Sequence, residues 1–101
     1  MARVSAVIPV YNGAATIARA VASVLAQRYD GAVETIVVDD GSTDSTRAIL
    51  AGFGDHIRTI HQPNRGPAAA RNVGARLAAG EYLAFLDADD EWMPEKLART
   101  V

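Results

Sequence analysis

Cysteine is absent from this 101-residue chain, so neither a disulfide framework nor a thiolate metal site is open to it. Lysine occurs once, as Lys96, and the arginines are scattered from Arg3 to Arg99. With a net charge of −2 and no basic stripe to track a phosphate backbone, a nucleic-acid partner is excluded. Long apolar runs are also missing. The longest, around Ala6–Val10 and Val21–Ala26, fall far short of the ~20 residues that cross a bilayer, so the chain carries no membrane segment. The N-terminus lacks the charged lead-in and apolar core of a secretion signal, and the expected location is cytoplasmic. Repeats, linkers and low-complexity tracts do not occur. The chain is 50% hydrophobic and 22% charged, the balance of one globular domain. A domain of this length buries roughly 65% of its extended surface.

The apolar pattern alternates between strand and helix signals. Val4–Val10 is a β-branched run that Pro9, lacking an N–H, is expected to end. Between Ala14 and Gln27, Ile17, Ala20, Val21, Val24 and Leu25 follow helical spacing and form one sheet-facing stripe. Val33–Val38 reads as a second strand, broken by Asp39-Asp40-Gly41-Ser42, after which Thr43 or Asp44 caps a helix reaching about Phe53. Ile57–Ile60 is a weak third strand and Gln62–Gly66 a loop. Pro67–Ala79 is a helix, with Pro67 at its first position and Gly80 suited to the position just past its end. Tyr82–Leu86 is a fourth strand, expected to be covered on both faces, and Pro94–Val101 starts a last helix. This order implies right-handed crossovers and an α/β fold of three layers, with a mostly parallel, open, Rossmann-like sheet and alternating helices.

The fourth strand runs directly into Asp87-Ala88-Asp89-Asp90-Glu91. Ligands of open α/β sheets bind at the carboxyl ends of the strands, where this cluster falls. Carboxylates about 5 Å apart repel by roughly 1 kcal/mol per pair even in water, and a hard cation relieves that repulsion. Asp87 and Asp89 are two residues apart, so an extended backbone points both the same way, toward a Mg²⁺ or Mn²⁺ shared with phosphate oxygens. The bland alternative is a solvated acidic turn capping the last helix. Parallel strands bring Pro9-Val10-Tyr11-Asn12 and Asp39-Asp40-Gly41-Ser42 to the same edge. An aromatic ring at Tyr11, a carboxylate at Asp40 and the pair Asp87 and Asp89 are the parts that hold a nucleotide diphosphate. The ring stacks on a base, the carboxylate accepts from a base N–H, and the cation screens the diphosphate.

Four blocks carry a resemblance over nearly the whole chain: Val7–Asn12, Ile36–Asp44, Asn64–Gly74 and Gly80–Asp90. In this order they resemble the nucleotide-binding half of a family 2 glycosyltransferase of the GT-A type. The resemblance implies a nucleotide-sugar donor, preferably a UDP-sugar. Tyr11 would lie beside the base, Asp40 would accept from the uracil imide, and the backbone at Pro9 and Val10 would line that pocket. Asp87 would lie near the ribose or sugar, and Asp89 would coordinate Mg²⁺ or Mn²⁺ on the diphosphate. Arg71 would face the same pocket, reaching a phosphate or pairing with Asp87. Such enzymes invert the anomeric centre with a carboxylate base, and no residue here matches that base, which is expected beyond residue 101 together with the acceptor pocket.

Residues 1–101 therefore read as one domain half that binds the donor without transferring the sugar, with an unprotected edge inviting self-association. Other roles are simpler. Asp39 reads as a turn former, His56 and His61 as surface residues, and Trp92 either stacks on a sugar or anchors the last helix. Two alternative functions keep the fold: a non-catalytic nucleotide-binding module, and a Mg²⁺-dependent phosphoacceptor signalling domain. The second wants an acidic pair after the first strand and a lysine from a late strand, whereas the pair here follows the second strand and Lys96 lies in a helix.

Overall fold

The computed structural model describes residues 2–100. Strands β1 (Val4–Val10), β2 (Val33–Asp39), β3 (Arg58–His61) and β4 (Tyr82–Phe85) alternate with helices α1 (Ile17–Leu25), α2 (Thr46–Ala51), α3 (Pro67–Leu77) and α4 (Lys96–Thr100). The four strands form one fully parallel sheet in the order β3-β2-β1-β4. The expected three-layer α/β architecture is thus the observed one.

Strand alternation divides the core in two. Val4, Ala6, Ile8 and Val10 of β1 pack with Ile17, Ala20, Val21 and Val24 of α1, joined by Leu50, Trp92 and Leu97. The opposite face of the sheet carries Val7, Ile36 and Val38 under Ala70 of α3, with Ile60, Val73 and Leu77 at the margin. At Gly74 an added Cβ would stand 2.3 Å from Val7 Cγ1, so this glycine lets α3 lie directly on β1.

Pro9 does not end the first strand, which continues to Val10 opposite Asp39. The Val7 carbonyl accepts from Leu86 on the β4 side and the Val10 carbonyl from Asp40 on the β2 side. By this alternation the missing N–H of Pro9 falls on the β4 side, where β4 has already ended at Phe85. Nor is β4 covered on both faces: it is an edge strand, and Tyr82, Leu83 and Phe85 are exposed. Leu83 and Phe85 pair with Ser5 and Val7 and share their face, but α3 sits over β1 and β2 and does not reach them.

The third helix stops at Leu77, and Ala78 is already extended. Gly80 is therefore not its left-handed cap. Its Cβ would lie 2.7 Å from the Ser5 nitrogen, so glycine is needed for close passage beside β1. Ser5 Oγ there accepts from Gly80 N–H (2.8 Å) and donates to Glu34 (2.6 Å), which also accepts from Ala79 N–H. Burial pushes the Glu34 carboxyl up, but these bonds and the charges of Arg3 and Arg58 outweigh it and hold the group below the ordinary carboxylate range.

The remaining helices are shorter than their periodicity predicts, α1 and α2 at both ends and α4 at its start. The last expected residue, Val101, lies outside the described residues. Trp92 is an anchor. It is buried with Leu97, its backbone N–H donates to Ser23 Oγ (3.0 Å), and Gln27 Oε1 accepts from Leu97 N–H (3.0 Å) at the start of α4.

Candidate functional site

All strands run the same way, so the loops after β1, β2, β3 and β4 meet at one edge. The first two are stapled together. Asn12, at φ 50°, accepts from Thr43 N–H (2.7 Å) and Asp44 N–H (3.3 Å), and its own N–H donates to Ser42 Oγ (2.9 Å). Asp44 takes Thr46 N–H (2.9 Å) at the start of α2 and Ala14 N–H (3.1 Å) across the gap. The adjacent hydroxyl of Thr46 accepts from Gly13 N–H (3.0 Å). These bonds leave Tyr11 at the rim, 53% exposed, with its ring open to a partner.

Asp40 is 3% exposed. Its Oδ1 accepts from Gln62 Nε2 (2.8 Å) and Arg65 N–H (2.8 Å), and its Oδ2 from Gly66 N–H (2.9 Å). Burial favours the neutral form, but these bonds and the Arg65 charge prevail, so the carboxyl sits below its ordinary value. Gly66 opens α3 at φ 97°, and Asp40 thereby fixes the start of that helix to the end of β2. Close approach of the two loops also requires Gly41, at φ 79°, where a Cβ would meet the Asn64 nitrogen at 2.7 Å.

His61 is exposed, as expected of a surface residue, but it also has a specific partner. The register places it beside Asp39, and its Nδ1 lies 2.9 Å from the buried Asp39 Oδ2. Asp39 Oδ1 accepts from Ser42 N–H (3.0 Å), which makes this acid structural, as its sequence context indicated.

The loop after β4 also differs from expectation. Asp87–Asp90 is a turn, closed by Asp90 N–H on the Asp87 carbonyl (3.0 Å), and not extended backbone. Asp87 and Asp89 nonetheless line the same cavity. Arg71 Nη2 lies 3.6 Å from Asp87 Oδ1, an exposed ion pair of small energetic weight.

That cavity, of about 620 Å³, is lined by Pro9, Val10, Tyr11, Asp40, Asn64, Gly66, Pro67, Ala70, Arg71, Asp87 and Asp89. All seven residues singled out from sequence are among them. Asn64, Gly66, Pro67 and Ala70 were not, although they lie in the Asn64–Gly74 block, whose glycine and proline signalled a helix start. A larger hollow of about 710 Å³, between the end of β4 and α4, shares only Asp87 with it. The smaller cavity is the candidate site, because residues from four loops converge there on opposite charges.

Among the described residues no three His, Cys, Asp or Glu side chains cluster to hold a metal. Asp87 and Asp89 alone would leave most of an octahedral shell to other oxygens. This fits a hard cation held by carboxylates together with substrate phosphates, as Mg²⁺ commonly is. No helix among the described residues is long and apolar enough to cross a membrane.

Comparison with known proteins agrees with this geometry. An uncharacterized glycosyltransferase of Nostoc sp. is 45% identical over 98% of this chain and 32% of its own length. The structure of S. aureus TarS 1–349 in complex with UDP superposes with a TM-score of 0.88 at 30% identity, covering 96% of this chain and 30% of that one. The mannosyltransferase PcManGT from Pyrobaculum calidifontis, in complex with GDP-Man and Mn²⁺, gives a TM-score of 0.82 at 31% identity, over 96% and 30% of the two chains. This chain thus spans about a third or less of the relatives it matches. Residues 5–101 match the family described as Glycosyl transferase family 2, and the chain belongs to that family, with the N-terminal half of the GT-A fold.

Proposed function

We propose that this chain forms the donor site of a glycosyltransferase that takes a UDP-sugar with a divalent cation and transfers the sugar with inversion. The observation that carries this reading is the single cavity joining Tyr11 and Asp40 to Arg71, Asp87 and Asp89. A base would sit between the exposed ring and the acceptor carboxylate, and Asp40, held ionised by its donors, would offer that acceptor across the neutral pH range. Asp87 and Asp89 would hold Mg²⁺ or Mn²⁺, which when bound offsets charge on the departing diphosphate. Arg71 and the amino end of α3 add positive potential on the same wall. The complexes of TarS with UDP and of PcManGT with GDP-Man and Mn²⁺ support a nucleotide ligand and a divalent cation as the class of partner. No residue of this chain is assigned as the general base or to an acceptor site, and the role proposed for the chain is donor binding.

A phosphoacceptor role fits poorly. Such a domain needs its acidic pair free to hold the cation, whereas Asp39 is paired with His61 and Asp40 is held by three protein donors. Lys96 lines the other hollow.

Calorimetric titration with UDP, with and without Mn²⁺, on the wild type and on Asp89→Ala tests the reading. Mn²⁺-dependent binding is expected in the wild type and its loss in the variant. Equal affinity in all four experiments would remove the metal from the site.

A further inference from the structure

Asp40 is buried, yet its hydrogen-bonding capacity is not exhausted. An ionised carboxylate offers about four lone-pair positions, two on each oxygen. Gln62 Nε2 and the Arg65 N–H occupy both positions of Oδ1, whereas Oδ2 takes only the Gly66 N–H. One acceptor position therefore remains, on Oδ2, and Asp40 lines the cavity. Arg65 and Gly66 act through the backbone, so Gln62 is the one side chain that sets this number. It is half-buried, and its own N–H donates to the Asp39 carbonyl (3.0 Å), which holds its backbone to the end of β2.

We propose that Gln62 is a positioning and specificity residue for the base. By filling Oδ1 it leaves Asp40 a single acceptor, suited to an edge with one N–H donor such as the uracil imide, and not to the two-donor edge of guanine. The inference rests on the reading that Asp40 faces the base. A site with one acceptor leaves the second guanine donor buried without a partner, a loss that discriminates strongly between ligands. The charged and titratable groups around Asp40 are Arg65 on its own side, Tyr11, Arg71, Asp87 and Asp89 across the cavity, and the Asp39–His61 pair behind it.

Gln62→Glu preserves shape and makes the donor titratable. When protonated, the introduced carboxyl donates to Asp40 as the amide does. When ionised, it places a like charge against it. Titration with UDP and Mn²⁺ at about pH 5.5 and pH 8, each referred to the wild type at the same pH, should give near wild-type affinity at the lower pH. At the higher pH it should give at least a roughly tenfold loss. Recovery at low pH would also show that the variant is folded. Gln62→Leu frees a position on Oδ1 and should narrow the preference for UDP over GDP. If Gln62→Glu follows the wild type at both pH values and Gln62→Leu keeps the preference, the proposal is wrong. Asp40→Asn separates it from the reading beneath it. Loss of UDP binding in that variant with unaffected Gln62 variants overturns only the role of Gln62, whereas binding that survives Asp40→Asn overturns both.

Discussion

Replacing Gly74 by alanine sets two known effects against each other, and the structure decides between them. In a helix interior this change ordinarily gains up to about 1 kcal/mol from propensity and reduced unfolded-state entropy. Here the new methyl would lie 2.3 Å from Val7 Cγ1 and 3.2 Å from Val7 Cγ2. Comfortable carbon contacts are about 3.5–4.0 Å, so the first falls short by more than an ångström. Val7 cannot yield, being fully buried in a central strand and stiff about χ1. Overpacking of this kind costs roughly 1–3 kcal/mol, and the steep overlap places Gly74→Ala at the upper end, a net loss of about 2 kcal/mol. At about 4–8 °C per kcal/mol for a domain of this size, the melting temperature should fall by roughly 8–16 °C. Urea unfolding followed by circular dichroism measures the loss directly. Truncating Val7 to alanine in the same chain makes room for the methyl, so the double variant should lose less than the sum of the singles by on the order of 1 kcal/mol. A Gly74→Ala variant as stable as the wild type, or additive behaviour of the pair, would refute close α3–β1 contact as the reason for glycine.

Two further outcomes are expected. Glu34, Asp40 and Asp44 all have carboxyls held below their ordinary values, so the unfolded chain binds more protons in acid. Their stabilisation is complete above the unfolded values of about 4 and is lost as pH falls through the lower folded ones. Urea midpoints should therefore drop below about pH 4, and Glu34→Gln should flatten that drop. The 101-residue chain should also self-associate along the exposed β4 edge, with Leu83→Lys suppressing it. A concentration-independent monomer in sedimentation equilibrium would contradict this.

The order of elements and the parallel sheet were legible because apolar residues switch between periods of two and 3.6 with clear turn signals between them. Tyr11, Asp40, Asp87 and Asp89 were legible because each lies just past a strand, and parallel topology alone carries those positions to one edge, whereas Arg71, within α3, was reached only through the family resemblance. Features that depend on which strands become neighbours were not legible. Pro9 is tolerated in β1 because β4 stops short, and β4 is exposed because α3 stands over β1 and β2. Gly80 looked like a helix cap, and only the packing of its backbone against Ser5 reveals its role. The partnership of His61 with Asp39 follows from the β2–β3 register, which two residues 22 positions apart do not announce.

Gln62 is the sharpest case of this limit, since in sequence it is an unremarked loop residue. Its importance arises from Asp40, and that of Asp40 from burial. An exposed aspartate would exchange its partners with water and present any number of acceptors to a ligand. A buried one presents only what its fixed donors leave over, and an unmatched ligand donor there goes unpaired. The same donors belong to the turn that starts α3, and α3 carries Arg71 to the side of the cavity where Asp87 lies. On the proposed donor reading, recognition of the base and placement of the diphosphate would therefore be mechanically joined through one carboxylate. A change that loosens Asp40 should weaken UDP through both ends of the molecule, while leaving uridine, which lacks the diphosphate, affected through one.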